Sequence, residues 1–365
     1  MKHTLSFLAL ASLALVSVAA VPGSGAPVVA GSSYLGPLEI AGIPAPPGDR
    51  TYDWRACTIK DGDRYTMWWV RGAPWDRIFR AEGVNDLRYG PAREVLAPAD
   101  NGFETQHVAH CAVIRKPDGQ HVMFYEAPMH DEYRDGPDNN VFMATSADGL
   151  TWHKHPSNAD PKPVISGYNR GRKRYGVGQP SAFHKDGKFV LYYVDDCEGN
   201  GNRMRRAESL DGIRWGSGAG HEQTDPRAHP IVMLGNVGEV KYSKMLNRCV
   251  MVFTVNGTLV GQPVSDYSHD IYFTASLDPD GKSWAAQPPN IWDLAKVSYN
   301  LSAAADPDKK LRLRAFPTLV CDPLGHIEGK TFRVLYTKGK QADAGQDWKA
   351  HWATWDLYGS ELTLK

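Results

Sequence analysis

The sequence predicts an all-β protein, a five-bladed β-propeller, on three observations. The 365-residue chain is rich in turn-forming and aromatic residues, with 35 Gly, 25 Pro and 11 Trp. A hairpin-like pattern recurs five times, and a short Ser-x-Asp-Gly-x-x-Trp phrase follows it in the middle of the chain. No convincing amphipathic helix of three turns separates the repeats. Four short strands per repeat, arranged around one axis, give the sheets of a propeller.

The five repeated units carry most of this prediction. Each unit begins with a strand of small residues, continues through a turn that contains Asp-Gly, Leu-Asn or a longer Gly-bearing loop, and ends in a strand of aromatic or β-branched residues. The units span 55–69, 109–125, 178–193, 238–253 and 316–336. A β-sandwich would also have many short strands, but it would not explain why the hairpin and the phrase recur together.

The Ser-x-Asp-Gly-x-x-Trp phrase predicts a third strand followed by a tight turn. It occurs at 146–152 and 209–215, and a longer version occupies 275–284. Asp-Gly at the corner favours a tight turn, and the Trp three residues later can pin that turn onto the sheet. We therefore expect the Trp residues of these phrases to pack between blades. They are Trp152, Trp215 and Trp284.

The N-terminal region is predicted to be separate from the repeats. Residues 1–20 combine an early lysine, an apolar run over 5–18 and small residues after it, which predicts a secretory signal peptide cleaved near Ala20. The expected location is secreted or periplasmic. Residues 21–50 are proline-rich and predict an extended arm, and 51–365 form the predicted propeller domain.

Charge and cysteine content exclude several classes of partner. Lys+Arg and Asp+Glu both number 41, so the formal net charge is 0 and no basic nucleic-acid footprint is expected. No later segment has the roughly 20 apolar residues of a membrane helix. The five cysteines contain no CxxC pair, which argues against structural zinc. We expect a monomer with no nucleic-acid or membrane partner.

The residues of the repeat resemble a known group of enzymes. The phrases at 146–152 and 209–215, together with Gly-Gln-Pro-Ser-Ala at 178–182 and the strand at 190–194, resemble the five-bladed propeller glycoside hydrolases of families 43, 32, 117 and 130. Sialidase Asp boxes differ, because there one residue separates Asp from Gly. The resemblance runs from Asp53 to the end of the chain. It implies a carbohydrate substrate whose glycosidic bond is cleaved by carboxylates on the innermost strands.

Two carboxylates are predicted to be catalytic. Inverting hydrolysis needs a carboxylic acid of raised pKa and a carboxylate base about 6.5–9.5 Å away across the sugar. Asp53, just before the first strand of unit one, is the predicted general base, and a turn cap is the alternative. Glu239, at the start of unit four, is the predicted general acid. The alternative for Glu239 is a strand glutamate paired with Lys241 or Lys244.

Further residues near the strand starts are predicted to contact the substrate. They are Trp54, Arg55, His107, His110, Gln179 and Arg314. A rim salt bridge is the alternative for Arg314. Two histidines near Glu104 could suggest a metal, but a spacing of three puts side chains on opposite faces of a strand, so no metal site is predicted. The acidic loops 131–140 and 278–281 do not match the EF-hand pattern, and no cofactor is predicted, with Ca²⁺ left as an alternative.

Aromatic and loop residues extend this list. Trp54, Trp69 and Trp75 are candidate stacking surfaces for a sugar ring. Asp195 and Asp196 follow a strand and either reach the axis or cap a turn.

Two other functions stay open at this point. Gln179 stands where the family usually has an Asp, which favours a carbohydrate-binding propeller without turnover. The basic cluster within 170–174 can instead supply the phosphate pocket of a glycoside phosphorylase.

Overall fold

The architecture is a ring of five antiparallel sheets, and it confirms the predicted five-bladed β-propeller. The computed structural model describes these residues: 27–42, 52–72, 75–99, 104, 107–128, 138–168, 175–198, 201–216, 225–235, 238–255, 270–285, 290–301, 313–339 and 356–365. The predicted signal peptide and the basic cluster within 170–174 lie outside these residues.

Within the described residues, twenty-three strands build the five blades. Two strands precede the first blade: β1 (Val29–Pro37) and β2 (Glu39–Ile40). Blade one follows with β3 (Tyr52–Asp61), β4 (Arg64–Gly72), β5 (Asp76–Gly83), β6 (Arg88–Tyr89) and β7 (Arg93–Leu96). Blade two has β8 (Ala109–Arg115), β9 (His121–Pro128), β10 (Asn139–Ser146) and β11 (His153–Lys154).

The remaining blades repeat this plan. Blade three has β12 (Val177–Lys185), β13 (Lys188–Asp195), β14 (Arg203–Ser209) and β15 (Ile231–Leu234). Blade four has β16 (Glu239–Ser243), β17 (Arg248–Val255), β18 (Asp270–Ala275) and β19 (Tyr299–Asn300). Blade five contains β20 (Leu313–Leu319), β22 (Thr331–Gly339) and β23 (Asp356–Leu364), and β21 (His326–Ile327) pairs in parallel with β16. In the part of the chain that the structure describes, a 3₁₀ turn (Pro226–Ala228) and one short helix, α1 (Ile291–Lys296), lie between strands.

The first strand of each blade is the innermost. Strands β3, β8, β12, β16 and β20 each contact the next in this order, and β20 contacts β3 again, so the five form a closed ring around the axis. Side chains between neighbouring sheets form the hydrophobic clusters of the core. All five cysteines are free and buried within these interfaces. In the described part of the chain, no helix is long and apolar enough to cross a membrane.

The N-terminal segment closes the ring. Strand β1 pairs antiparallel with β23, and the sheet order β1-β23-β22-β20 makes β1 the outer strand of blade five. The short β2 joins blade one beside β6. The described part of the predicted extended arm is thus built into the first and last blades.

The recurrent phrase forms the tight turn that its residues predict. The Ser146 hydroxyl accepts the Gly149 N–H at 2.8 Å, and Asp148 accepts the N–H groups of Leu150 and Thr151 at 2.8 Å. The Trp152 indole N–H donates to the Gly149 carbonyl. The same bonds recur in the phrase at 209–215. The three Trp residues of these phrases are buried, which confirms their packing role.

The two ends of the axis differ in their connections. We call the side where the innermost strands begin the loop face, and the side where they end the turn face. On the turn face, tight turns join the first and second strands, as at 62–63 and 186–187. On the loop face, the second strand joins the third through longer segments, 129–138, 256–269 and 340–355 among them, most of which lie outside the described residues. Loops at strand ends are where proteins commonly build binding surfaces, and the loop face is therefore the place to look for a site.

Candidate functional site

Four innermost strands carry the same irregularity close to the loop face. In each, the register with the second strand shifts, and the shift contains a non-glycine residue in the left-handed region. These residues are Arg55 (φ 49°), His110 (φ 46°), Gln179 (φ 50°) and Phe316 (φ 50°). Such conformations cost on the order of 1–3 kcal/mol each and persist only where the surrounding structure imposes them. The corresponding segment of blade four, 236–237, lies outside the described residues.

The bulges bring aromatic rings together at the axis. The Trp54 ring centroid lies 4.5 Å from that of His110 and 4.9 Å from that of Phe316. The His110 and Phe316 rings are 5.1 Å apart. Blades one, two and five therefore meet through these three rings at the loop-face end of the axis.

Glu126, near the end of β9, is a buried acid of this region that no sequence pattern singled out. Its Oε2 accepts the Tyr175 hydroxyl at 2.5 Å and the backbone N–H of Gln179 at 2.7 Å. The residue is 3% exposed, and burial raises its pKa to about 7, although both hydrogen bonds and the Arg55 charge oppose the rise. At neutral pH this carboxyl group is therefore partly protonated.

The other carboxylate oxygen of Glu126 faces two histidines. His110 Nε2 lies 3.7 Å and His107 Nε2 lies 4.0 Å from Oε1. Burial lowers the pKa of His107 to about 4 and holds that of His110 well below its ordinary value, so both rings are neutral near pH 7. The expectation that a spacing of three separates the rings is wrong here. His110 occupies a bulge and His107 precedes β8, so the alternation of a regular strand does not apply.

Asp76 is a second carboxyl group that the sequence analysis missed. It begins β5, is buried, and accepts the Tyr52 hydroxyl at 2.8 Å. Burial raises the pKa of Asp76 to about 6, and the charge of Asp76 in turn helps to raise the pKa of Glu126. Asp76 lies at a strand start on the loop face, and the same position in the sequence led to the prediction of Asp53.

Asp53, the predicted base, lies at the start of β3 and faces blade five. Its Oδ1 accepts the Trp69 indole N–H at 2.7 Å, and its Oδ2 lies 3.7 Å from Arg71 Nη1. Burial raises the pKa of Asp53 to about 6 against the opposing effect of Arg71, and the nearby Asp356 contributes to the rise. Its side chain retains 14% exposure.

Glu239, the predicted acid, lies deeper along the axis. It starts β16, and its side chain is 2% exposed. Its Oε1 is 3.1 Å from Lys241 Nζ, and its Oε2 accepts the Leu319 N–H at 2.5 Å. Lys241 Nζ also donates to the Ala182 carbonyl at 2.9 Å, so the pair joins blades three, four and five. The contacts correspond to the alternative of a paired strand glutamate, and the catalytic role stays a prediction.

The other predicted contact residues divide into two groups. Five of them lie around Glu126, either next to it or against one of its neighbours. They are Trp54, Arg55, His107, His110 and the backbone of Gln179. Arg314 is elsewhere, at the junction of blades four and five, where its Nη1 lies 3.4 Å from Asp270 Oδ1. This contact is the rim salt bridge considered as its alternative.

The remaining candidates have mostly structural contacts. Asp195 is buried, where Arg205 Nε donates to its Oδ2 at 2.5 Å and the Cys197 N–H donates to its Oδ1. Trp54 and Trp69 are buried, whereas Trp75, directly before Asp76, is 47% exposed on the loop face. Among the three predicted stacking surfaces, Trp75 is the accessible one. In the described ranges, no group of three or more His, Cys, Asp or Glu residues has a metal-binding arrangement.

The fold is similar to those of solved glycoside hydrolases. The catalytic domain of the GH62 α-L-arabinofuranosidase of Coprinopsis cinerea superposes with a TM-score of 0.61 at 15% identity, covering 93% of this chain and 98% of that chain. The α-L-arabinofuranosidase PaAbf62A of Podospora anserina, solved with cellotriose, gives 0.61 at 14% identity, covering 93% and 99%. Zg3597, a family 117 glycoside hydrolase of Zobellia galactanivorans, gives 0.59 at 12% identity, covering 92% and 91%.

These similarities settle the fold. No protein-family model matches the sequence, and no curated protein matches it either. The chain has the fold of the five-bladed propeller glycoside hydrolases, as the resemblance of its repeats indicated. Fold alone does not determine chemistry, so the activity has to be argued from the carboxyl groups of the site.

Proposed function

We propose that this protein is an exported glycoside hydrolase in which Glu126 is the general acid and Asp53 the general base. The observation that carries the proposal is Glu126, a buried carboxyl group with a pKa of about 7 at the loop-face end of the axis. General acid catalysis requires a group that is still protonated near the working pH, and burial of a carboxyl group is the usual way to achieve this. Glycoside hydrolases are also the structural neighbours of the chain.

The hydrogen bonds of Glu126 indicate which oxygen carries the proton. Tyr175 and the Gln179 N–H both donate to Oε2, so a proton on the carboxyl group belongs on Oε1. The nearest histidine nitrogens are too far from Oε1 for a hydrogen bond, at 3.7 and 4.0 Å. The proton of Oε1 is therefore available to the leaving oxygen of a glycosidic bond.

Asp53 is suited to the second catalytic role, activation of the attacking water. Trp69 and Arg71 stabilise its ionised form, so a pKa of about 6 leaves it mostly ionised at pH 7. A partly exposed carboxylate of this kind can take a proton from the attacking water, which corresponds to inversion at the anomeric carbon. Burial raises the pKa of Glu126, and the charge of Asp76 adds a smaller contribution to the rise. We expect Trp75 to stack against a sugar ring at the rim.

One observation favours a second function, carbohydrate binding without turnover. The four described bulges carry Arg55, His110, Gln179 and Phe316, and none of these residues has a carboxylate. In this alternative the cluster around Glu126 would only hydrogen-bond a sugar.

Activity of the purified protein on a panel of nitrophenyl furanosides, pyranosides and oligosaccharides tests the proposal. We expect kcat/KM to rise with pH near 6, as Asp53 ionises, and to fall near 7, as Glu126 loses its proton. Glu126→Gln should lower kcat by about 10²–10⁴-fold. NMR of the first product should show inverted anomeric configuration.

The matched variant is Glu239→Gln, which tests the residue predicted from the sequence. If Glu239→Gln loses most of its kcat and Glu126→Gln keeps the wild-type kcat, then Glu239 and not Glu126 is the general acid. Sugar binding with no turnover of any substrate would support the binding propeller instead.

A further inference from the structure

Arg55 presents an unusual charge at the centre of the ring. It occupies the bulge of β3 and is 1% exposed. Its Nη2 donates to the Pro180 carbonyl at 3.4 Å, across the axis in blade three. Its Nε is buried and has no hydrogen-bond partner among the described residues.

The described residues do not neutralise this guanidinium by direct pairing. Within them, no carboxylate lies within 4.0 Å of an Arg55 nitrogen, although the charge is near enough to lower the pKa of Glu126. Oε2 of Glu126 is already occupied by Tyr175 and Gln179. A carbonyl oxygen at 3.4 Å replaces little of the hydration that a buried arginine loses, and an unpaired buried charge costs several kcal/mol.

A second unsatisfied group lies beside the arginine. The Nδ1 of His110 is buried and also has no hydrogen-bond partner among the described residues. His110 and Arg55 interact electrostatically, and His110 lies 3.7 Å from Glu126. The position next to the proposed acid thus offers a cation and a ring nitrogen that can donate a hydrogen bond.

From this geometry we infer that the substrate carries an acidic substituent, a uronate carboxylate or a sulfate ester, which pairs with Arg55. The inference rests on the proposed function, since it places the acidic sugar beside Glu126. The guanidinium is planar and always charged, so it recognises oxyanions strongly and specifically. A neutral sugar would leave the charge of Arg55 unpaired, and the site should therefore discriminate against it.

The competing explanation is that Arg55 serves only to join blades one and three through Pro180. In that case Arg55 contributes to stability and not to ligand preference. The two explanations differ in their effect on the ratio of affinities for acidic and neutral sugars, which a purely structural residue does not change.

The test is binding of monosaccharides, which contain no bond to hydrolyse. Calorimetry or NMR titration of the full-length protein at low salt would compare D-glucuronate and D-galacturonate with D-glucose and D-galactose. The 6-sulfates of glucose and galactose form a third pair, which distinguishes a tetrahedral from a planar anion. We expect at least one acidic sugar to bind about ten-fold or more tightly than its neutral counterpart.

Three variants complete the test. Arg55→Met should abolish the preference, and Arg55→Lys should retain part of it. Arg115→Met is the control, because Arg115 ends an innermost strand on the turn face and pairs there with Asp61. It should leave the preference unchanged. Thermal unfolding of each variant shows whether it folds. If an Arg55 variant does not fold, the comparison of acidic and neutral sugars with the wild-type protein still tests the inference.

The outcomes separate this inference from the proposed function. Equal affinity for acidic and neutral sugars in the wild type, or a preference that survives in folded Arg55→Met, overturns the inference. Hydrolysis of neutral glycosides without acidic preference overturns it and leaves the hydrolase intact. A preference dependent on Arg55, without turnover of any glycoside, supports the inference and contradicts the hydrolase.

Discussion

Asp148 on the turn face and Glu126 on the loop face have pKa values that shift in opposite directions. On the turn face, Asp148 is exposed and accepts backbone N–H groups of its own turn, which lower its pKa to about 2. On the loop face, Glu126 is buried and its pKa rises to about 7. Both acids accept hydrogen bonds from backbone amides, so burial accounts for the difference.

This contrast separates stability from chemistry within one repeated unit. The turn-face groups are saturated with local hydrogen bonds and their ionised forms are stabilised, which suits a structural turn. On the loop face, three features are destabilising: buried carboxyl groups, bulges with residues in the left-handed region, and Arg55, whose Nε has no hydrogen-bond partner among the described residues. Such costs concentrate at functional sites. The variants below test whether the division holds.

The largest effect on stability is expected at the buried ion pair. Glu239→Ala leaves Lys241 charged and without its carboxylate in the interior, and we expect a loss of about 3–5 kcal/mol in the free energy of unfolding. Urea unfolding measures it. Glu328→Gln, at an exposed partner of Lys244, should change the free energy by less than about 0.5 kcal/mol. If Glu239→Ala unfolds at the wild-type urea concentration but has lost activity, then Glu239 acts in the site and is not only a structural residue.

A smaller effect is expected from the pH dependence of Glu126. Because its folded pKa is above its ordinary value of 4.5, the stabilisation is complete below pH 4.5 and is lost as the pH rises through about 7. Glu126→Gln removes this dependence. Its stability relative to wild type should therefore improve by an amount on the order of 3 kcal/mol between pH 4.5 and 8.

Denaturant unfolding of both proteins across this pH range measures the difference. The contribution of Asp53 titrates in both proteins and cancels in the comparison. Asp76 interacts with Glu126, so the measured difference contains the Glu126 titration together with its coupling to Asp76. A difference that does not vary with pH would mean that folding does not raise the pKa of Glu126, and it would remove the basis for the general acid.

The smallest effect is expected on the turn face. Ser146→Ala removes the hydroxyl that accepts the Gly149 N–H, and we expect it to cost about 1 kcal/mol. Turnover per folded molecule should stay at the wild-type value. Thermal unfolding and kcat measured on the same preparation check both parts, and a several-fold drop in kcat would show that the two faces are coupled.

The sequence predicted the repeat better than the site. Hairpins and Ser-x-Asp-Gly-x-x-Trp turns are local patterns, so each unit could be recognised from its own residues. The position of Glu126 depends on neighbours from other segments, Tyr175 and Gln179 among them, and its raised pKa has no local signal. His107 and His110 were separated by the rule for a regular strand, which fails at a bulge. Asp53 could be proposed from the sequence because its position at a strand start is a local signal.

The pairing of β1 with β23 builds blade five from strands near the two ends of the described chain. The main strands of blades one to four come from consecutive segments, and β21 alone joins blade four from the segment after β20. The sheet of blade five instead combines β1 with strands from the other end of the described chain. The pairing of β1 with β23 closes a loop of more than 300 residues, and the entropy cost of such a closure makes this step slow. Until then β23 presents an unsatisfied edge to other molecules, so crowding during refolding should favour intermolecular pairing there.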